Sequence, residues 1–276
     1  MKNTFKWMFA AILICGLTVS SCKKDPQPTP EPEPTTQTML TGIVATGVPI
    51  YDSVTYSYEY DAQYRLVRSK SQVTNEDYVI QDLKFTYSDG RISVTGTEAE
   101  EPVTLECTLD SEGRITHYVS TLLINDSTTI ITNIDFTYDA EGRLIKEFSS
   151  SNREGNGATT EYVWEGDELK ASSMGDGVIT DDFVASDAPA QALFQKMDYD
   201  VTLSDLCTQG CFGKLPAHMP SKRTMTITLP IPGMEPVVTP SSFTYTVNAE
   251  GRLATCVETD ETNGDITKYT FIWEER

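Results

Sequence analysis

The chain has 276 residues, 39% of them hydrophobic and 9% aromatic, enough for a large packed domain and too many for a disordered chain. Its formal net charge is −20. Removing residues 1–21, which carry Lys2 and Lys6 but no acid, leaves 19 basic against 41 acidic residues, net −22. A surface that acidic repels phosphate backbones, which excludes nucleic acid as a partner, and its plain role is solubility.

At the N-terminus, Lys2 and Lys6 flank the start of an apolar run of 11 residues, Trp7 to Leu17. A spanning helix needs about 20 such residues, so the run fits the core of a signal peptide occupying residues 1–21. Val19-Ser20-Ser21-Cys22 follows and resembles the bacterial lipobox: an aliphatic residue, two small residues, then the cysteine that receives diacylglycerol. The resemblance implies cleavage before Cys22 and lipidation of its thiol. The expected protein is an outer-membrane lipoprotein whose membrane partner is reached through that lipid, on the periplasmic or the cell-surface face. Prolines at 26, 28, 30, 32 and 34 make residues 22–38 an extended linker. At ~3.1 Å per residue it reaches roughly 45 Å.

Residues 39–276 repeat one pattern: aromatic, x, aromatic, a turn, then Gly-Arg and an aliphatic residue. Phe136-Thr-Tyr138-Asp139-Ala-Glu-Gly142-Arg143-Leu144 is the clearest copy. Tyr58 to Leu66, Phe85 to Ile92, Cys107 to Ile115 and Tyr245 to Leu253 are others, Tyr162 to Leu169 is degenerate, and Phe271-Ile-Trp273 is a strand without its turn. Residues 60, 87, 109, 138 and 164 mark a period in the twenties, resumed after a gap by 247 and 273. Such a period signals one supersecondary unit used repeatedly.

The unit predicts a β-hairpin. Aromatics at i and i+2 share one strand face. Asp-x-x-Gly suits a type I turn closed by glycine in the left-handed region, giving a three-residue loop with a bulge. Ser88-Asp89-Gly90 is shorter and suits a two-residue type I′ turn. Tyr64 stands where the other copies have glycine, so that turn is expected to be looser or strained. The turn arginines are expected in solvent beside the many acids. Linked hairpins form an up-and-down meander, and about 15 strands is wide enough to curl into a barrel-like sheet. A transmembrane barrel fits this pattern poorly, since the aromatics sit beside turns in every copy. Residues 172–242 break the period and read as an insert. Within it, Ser186 to Met197 predicts a short helix capped by Asp187, with Pro189 in its first turn and an apolar stripe of Leu193, Phe194 and Met197. The insert is expected to cover or plug one mouth of the curled sheet.

The Tyr-Asp-x-x-Gly-Arg-Leu copies resemble the YD repeats of large secreted bacterial shell proteins. Lipobox, proline-rich spacer and repeats together resemble a family of Bacteroidetes lipoproteins of unknown function, as does Gly210-Cys-Phe212-Gly213-Lys214-Leu-Pro216. The resemblance covers residues 40–276 and implies an all-β, porin-like fold with no assigned catalytic residue.

Little in the chain reads as chemistry. His117 and His218 lack a second histidine at metal-ligand spacing, and both read as structural. No Gly-x-Ser-x-Gly elbow or phosphate loop is present, so neither enzyme activity nor a cofactor is expected. Cys207 and Cys211 can pair as a disulfide in an oxidising envelope or stand as free thiols. Cys107 fills an aromatic slot and reads as a small core residue. Asp176, Asp181 and Asp182 read as a solvated acidic loop rather than a calcium site. Trp164 and Trp273 are candidate ligand contacts, although their repeat positions favour core packing. The expected function is a lipid-tethered binding module for a glycan, a peptide or an envelope partner, the alternative being a scaffolding protein without a small ligand.

Overall fold

A computed structural model of the chain describes residues 36–125, 128–153, 157–175, 177–190, 205–206, 209–229 and 231–276. Every copy of the repeat lies on a hairpin within them. The strands are β1 (Thr38–Val48), β2 (Asp52–Tyr60), β3 (Leu66–Val73), β4 (Val79–Ser88), β5 (Arg91–Glu98), β6 (Glu101–Leu109), β7 (Ile115–Asn125) and β8 (Thr128–Tyr138). They continue with β9 (Leu144–Ser151), β10 (Ala158–Glu165), β11 (Glu168–Met174), β12 (Ile179–Pro189), β13 (His218–Ile227), β14 (Val237–Val247), β15 (Leu253–Asp260) and β16 (Ile266–Glu275). All neighbours are antiparallel, and β1 pairs with β16, so the meander closes into a barrel. The Gly-Arg corners lie at one end, the turn end. The longer connections lie at the other, the loop end.

The strand count exceeds the sequence expectation by one, and the extra strand is β12. Ser186 to Pro189 ends this strand instead of opening a helix. The Ser186 hydroxyl donates to Met219 O at 2.7 Å, which ties it to β13, and accepts the Ala188 N–H at 3.1 Å. Tertiary pairing overrides local propensity here. Residues 191–197, the rest of the predicted helix, lie outside the described residues. The stretch 172–242 carries strands β11 to β14 in the same meander.

The turns follow the predicted three-residue form. Asp139 N–H donates to Arg143 O at 3.0 Å, Gly142 N–H donates to Asp139 O at 3.1 Å, and Gly142 has φ 80°. Tyr64 adopts the glycine conformation at φ 60° and keeps its N–H bond to Asp61 O at 3.0 Å, so that turn is strained and not loosened. The shorter turn is not type I′. Of its two loop residues only Gly90 has positive φ, whereas type I′ needs both. A two-residue loop of that kind occurs between β5 and β6, where Ala99 (φ 48°) and Glu100 (φ 71°) join Glu98 to its partner Glu101.

The arginines do more than face solvent. In the Asp139 turn, Arg143 Nε donates to Asp139 Oδ2 at 2.6 Å. Burial works against the ionised carboxyl of Asp139, but hydrogen bonds from Arg143 and Glu141 outweigh it and hold the group below its ordinary range. The guanidinium then lies over the ring of the next hairpin: Arg65 over Tyr87 at 4.7 Å, Arg114 over Tyr138 at 4.8 Å, Arg143 over Trp164 at 5.9 Å and Arg252 over Trp273 at 6.0 Å. Each ring in turn donates to the backbone of the preceding unit. Tyr87 reaches Leu66 O at 2.9 Å, Tyr138 reaches Ile115 O at 2.7 Å, Trp164 reaches Leu144 O at 2.8 Å and Trp273 reaches Leu253 O at 2.7 Å. Asp, Gly, Arg, aliphatic and aromatic positions therefore form one joint between successive hairpins. Stacking contributes about 0.5–1 kcal/mol and each hydrogen bond about 1 kcal/mol per joint.

Alternation separates the two faces of the wall. Inward from β4 to β8 point Leu83, Phe85, Val94, Leu105, Tyr118, Ile134 and Phe136, all buried in one cluster. Outward on the same arc point Asp82, Lys84, Thr95, Thr104, Glu106 and Thr108. Arg68 clamps Asp82 on that outer surface through two bonds of 2.8 Å.

Candidate functional site

Residues 205–206 and 209–217 enter the turn end of the barrel, which fits the expectation of a plugged mouth. Leu206 and Phe212 are fully buried, and Phe212 meets Phe136 edge-on at 5.4 Å. The backbone of this plug is stitched to the corners: Ile115 N–H donates to Cys211 O at 2.8 Å, and Lys214 N–H to Gly142 O at 2.8 Å. Gly213 fits because it has no side chain. A Cβ there would come within 2.2 Å of Gly142 O, and φ is +74°.

The plug and the core from β4 to β8 fill one half of the lumen. The half facing β9 to β15 holds a cavity of about 500 Å³. Its apolar wall is built by Trp164, Leu169, Met174, Ile179, Phe183, Met225 and Phe243, with Phe212 from the plug. Closure of the barrel brings Ile43, Tyr56, Tyr58, Ser71 and Gln81 from β1 to β4 to the opposite side. Ala190 and Asp205 also line it and bracket residues 191–204, which lie outside the described residues.

Polar groups in the lumen come as partnered sets. Asp181 and Arg223 form a bidentate pair at 2.6 and 3.0 Å. Asp205 accepts a short hydrogen bond from Ser69. Burial pushes the phenol of Tyr58 well above its ordinary value, and nearby Asp205 adds to the shift. Tyr269 donates to Glu258 Oε2 at 3.1 Å. Beside the cavity wall, Glu147 accepts from the Tyr162 hydroxyl at 2.7 Å, and burial pushes its carboxyl up to about 7 against the pull of that bond. At the turn-end rim, His218 Nδ1 lies 2.6 Å from Glu168 Oε1, and Lys214 lies 2.7 Å from Asp167.

The chain has no matching family model, and no curated protein matches its sequence. Among solved structures it is similar to a porin-like protein from Bacteroides uniformis, at 14% identity and TM-score 0.60, covering 85% of this chain and 98% of that one. A porin-like protein from Bacteroides vulgatus aligns at 10% identity and TM-score 0.59, over 86% and 99% of the two chains. The fold is a porin-like barrel.

The sequence candidates distribute unevenly over this barrel. Trp164 lines the cavity, but its indole N–H is committed to the joint with Leu144. Trp273 packs against the core at its own joint with Leu253. His218 reaches the cavity, whereas His117 sits on the outer face, 2.7 Å from Asp135. Asp181 and Asp182, expected in a solvated loop, lie on opposite faces of β12: Asp181 is buried in the lumen and Asp182 is exposed. Consecutive strand residues cannot share a cation. Asp176 lies outside the described residues, as do Cys22 and Cys207. Cys211 is a free, buried thiol raised to about 12 by burial, and Cys107 is a buried core residue. Sequence reading missed Tyr56, Phe243, Glu258 and Arg223. Their one legible signal is an inward strand phase shared with the repeat aromatics, and barrel closure alone brings them together.

Proposed function

We propose that this chain is a lipid-anchored envelope protein that binds a small amphipathic molecule inside a water-exposed β-barrel. The cavity carries the reading. One half of the lumen is packed to exclusion, while the other leaves about 500 Å³ lined by aromatic and methionine side chains with a few placed polar groups. That is the usual composition of a small-molecule pocket. The polar outer face of β4 to β6 supports a barrel standing in water on that arc, because a lipid-embedded barrel needs an apolar outer band about 25 Å tall. The lipobox and the proline linker supply the tether. The chain enters β1 at the turn end, where Leu40 pairs with Trp273. The packed half favours the scaffolding alternative, in which the lumen has no ligand. Neither reading needs catalysis.

The test is a thermal-shift screen of the full chain carrying Cys22→Ser against amphiphiles, oligosaccharides and short peptides, repeated with Met225→Trp to fill the cavity. A compound that raises the melting temperature of the parent and not of the filled variant supports lumen binding. Compounds acting equally on both, or on neither, refute it.

A further inference from the structure

Glu258 differs from two other carboxylates of the cavity wall. Asp181 is held by Arg223, and Glu168 by His218. Glu258 takes one hydrogen bond from the Tyr269 hydroxyl at 3.1 Å, and among the described residues no cation pairs with it. Its neighbours are rings. Phe243 is its directly opposed partner on β14, and Tyr269 lies beside it on β16. Tyr56 approaches from β2 on the far side of the closure, near enough to raise the Tyr269 phenol further, after burial and Glu258. All four side chains line the cavity.

The geometry points to a cation subsite: Glu258 with the rings of Phe243, Tyr269 and Tyr56 forms an aromatic–carboxylate cage for the ammonium head of an amphipathic ligand, whose apolar body lies along Met174, Ile179 and Met225. This deepens the lumen-binding reading and rests on it. The physical reasons are three. Ring faces carry negative potential and attract a cation that has left bulk water. A carboxylate that faces a cavity with no counter-ion among the described residues gains from a cation and disfavours an anion. The phenols stay neutral, because burial raises them, with Asp205 adding at Tyr56 and Glu258 at Tyr269, so the rings bring no charge of their own to the cage.

The test uses three probes with one tail and different heads: octyltrimethylammonium, octanol and octyl sulfate, titrated calorimetrically into the full chain carrying Cys22→Ser. The cation is expected to bind at least about tenfold more tightly than octanol, and octyl sulfate more weakly than either. Glu258→Gln is expected to remove that tenfold advantage and leave octanol unchanged. Phe243→Leu, which keeps an apolar wall, should cost the cation several-fold and octanol little. Equal affinity for the three heads in the parent overturns the cage while leaving lumen binding standing. Binding of none overturns both. A preference for the cation that survives both substitutions also overturns the assignment.

Discussion

Replacing Glu147 by glutamine should stabilise the barrel in a pH-dependent way. The carboxyl is buried against Tyr162 and raised from 4.5 to about 7. Between those values the unfolded chain loses the proton while the folded chain keeps it. The folded state then binds more protons than the unfolded one, so stability falls as pH rises through this window. At 1.36 kcal/mol per pK unit, the penalty is about 1 kcal/mol near pH 5 and levels off at about 3 kcal/mol near pH 8. Glutamine still accepts the Tyr162 hydroxyl and never ionises. Urea unfolding of parent and Glu147→Gln at about pH 5 and about pH 8 should therefore show the variant's advantage growing by about 2 kcal/mol between the two. An advantage that is the same at both pH values, or larger at the lower one, would refute the assignment of a buried, protonated Glu147.

Tyr64→Gly relieves positive φ at the cost of a half-buried ring whose hydroxyl donates to Arg276 O at 3.3 Å, and should stabilise by up to about 1 kcal/mol in denaturant unfolding. Ala99→Asn with Glu100→Gly gives the β5–β6 loop the residues its mirror-image turn prefers, and the melting temperature should rise by a few degrees, about 1–2 kcal/mol. Gly213→Ala should have the opposite effect. It forces a Cβ into Gly142 O at positive φ, so the plug should lose its seat, with a loss of at least about 2 kcal/mol and faster amide exchange at Ile115 and Lys214.

The wall was legible in the sequence because its rules are local. Period-2 aromatics, Asp-x-x-Gly turns and a fixed spacing specify hairpins residue by residue. The errors come where a distant partner decides. Ser186 to Pro189 looks like a helix start until β13 offers its carbonyls. Arg143 looks like a solvent charge until the next hairpin brings Trp164 beneath it. Asp181 and Asp182 read as one acidic pair, but the pleat of β12 sends them to different environments. The cavity was illegible for the same reason. Tyr56 and Glu258 are 202 positions apart in the chain, and nothing in either stretch announces that the sheet closes between them.

Because every joint except the closing one, where Arg276 lies 6.0 Å over the ring of Tyr60, is made between neighbours in sequence, nothing else in the wall counts to a fixed total. A hairpin duplicated together with its aspartate, arginine and ring would find a ready seat on either side, so the circumference can grow by two strands at a time. The stopper at the turn end has no such freedom: Gly213 is cut to the bore set by Gly142 and Tyr138. In barrels built this way, the fit of the internal segment is what limits their size.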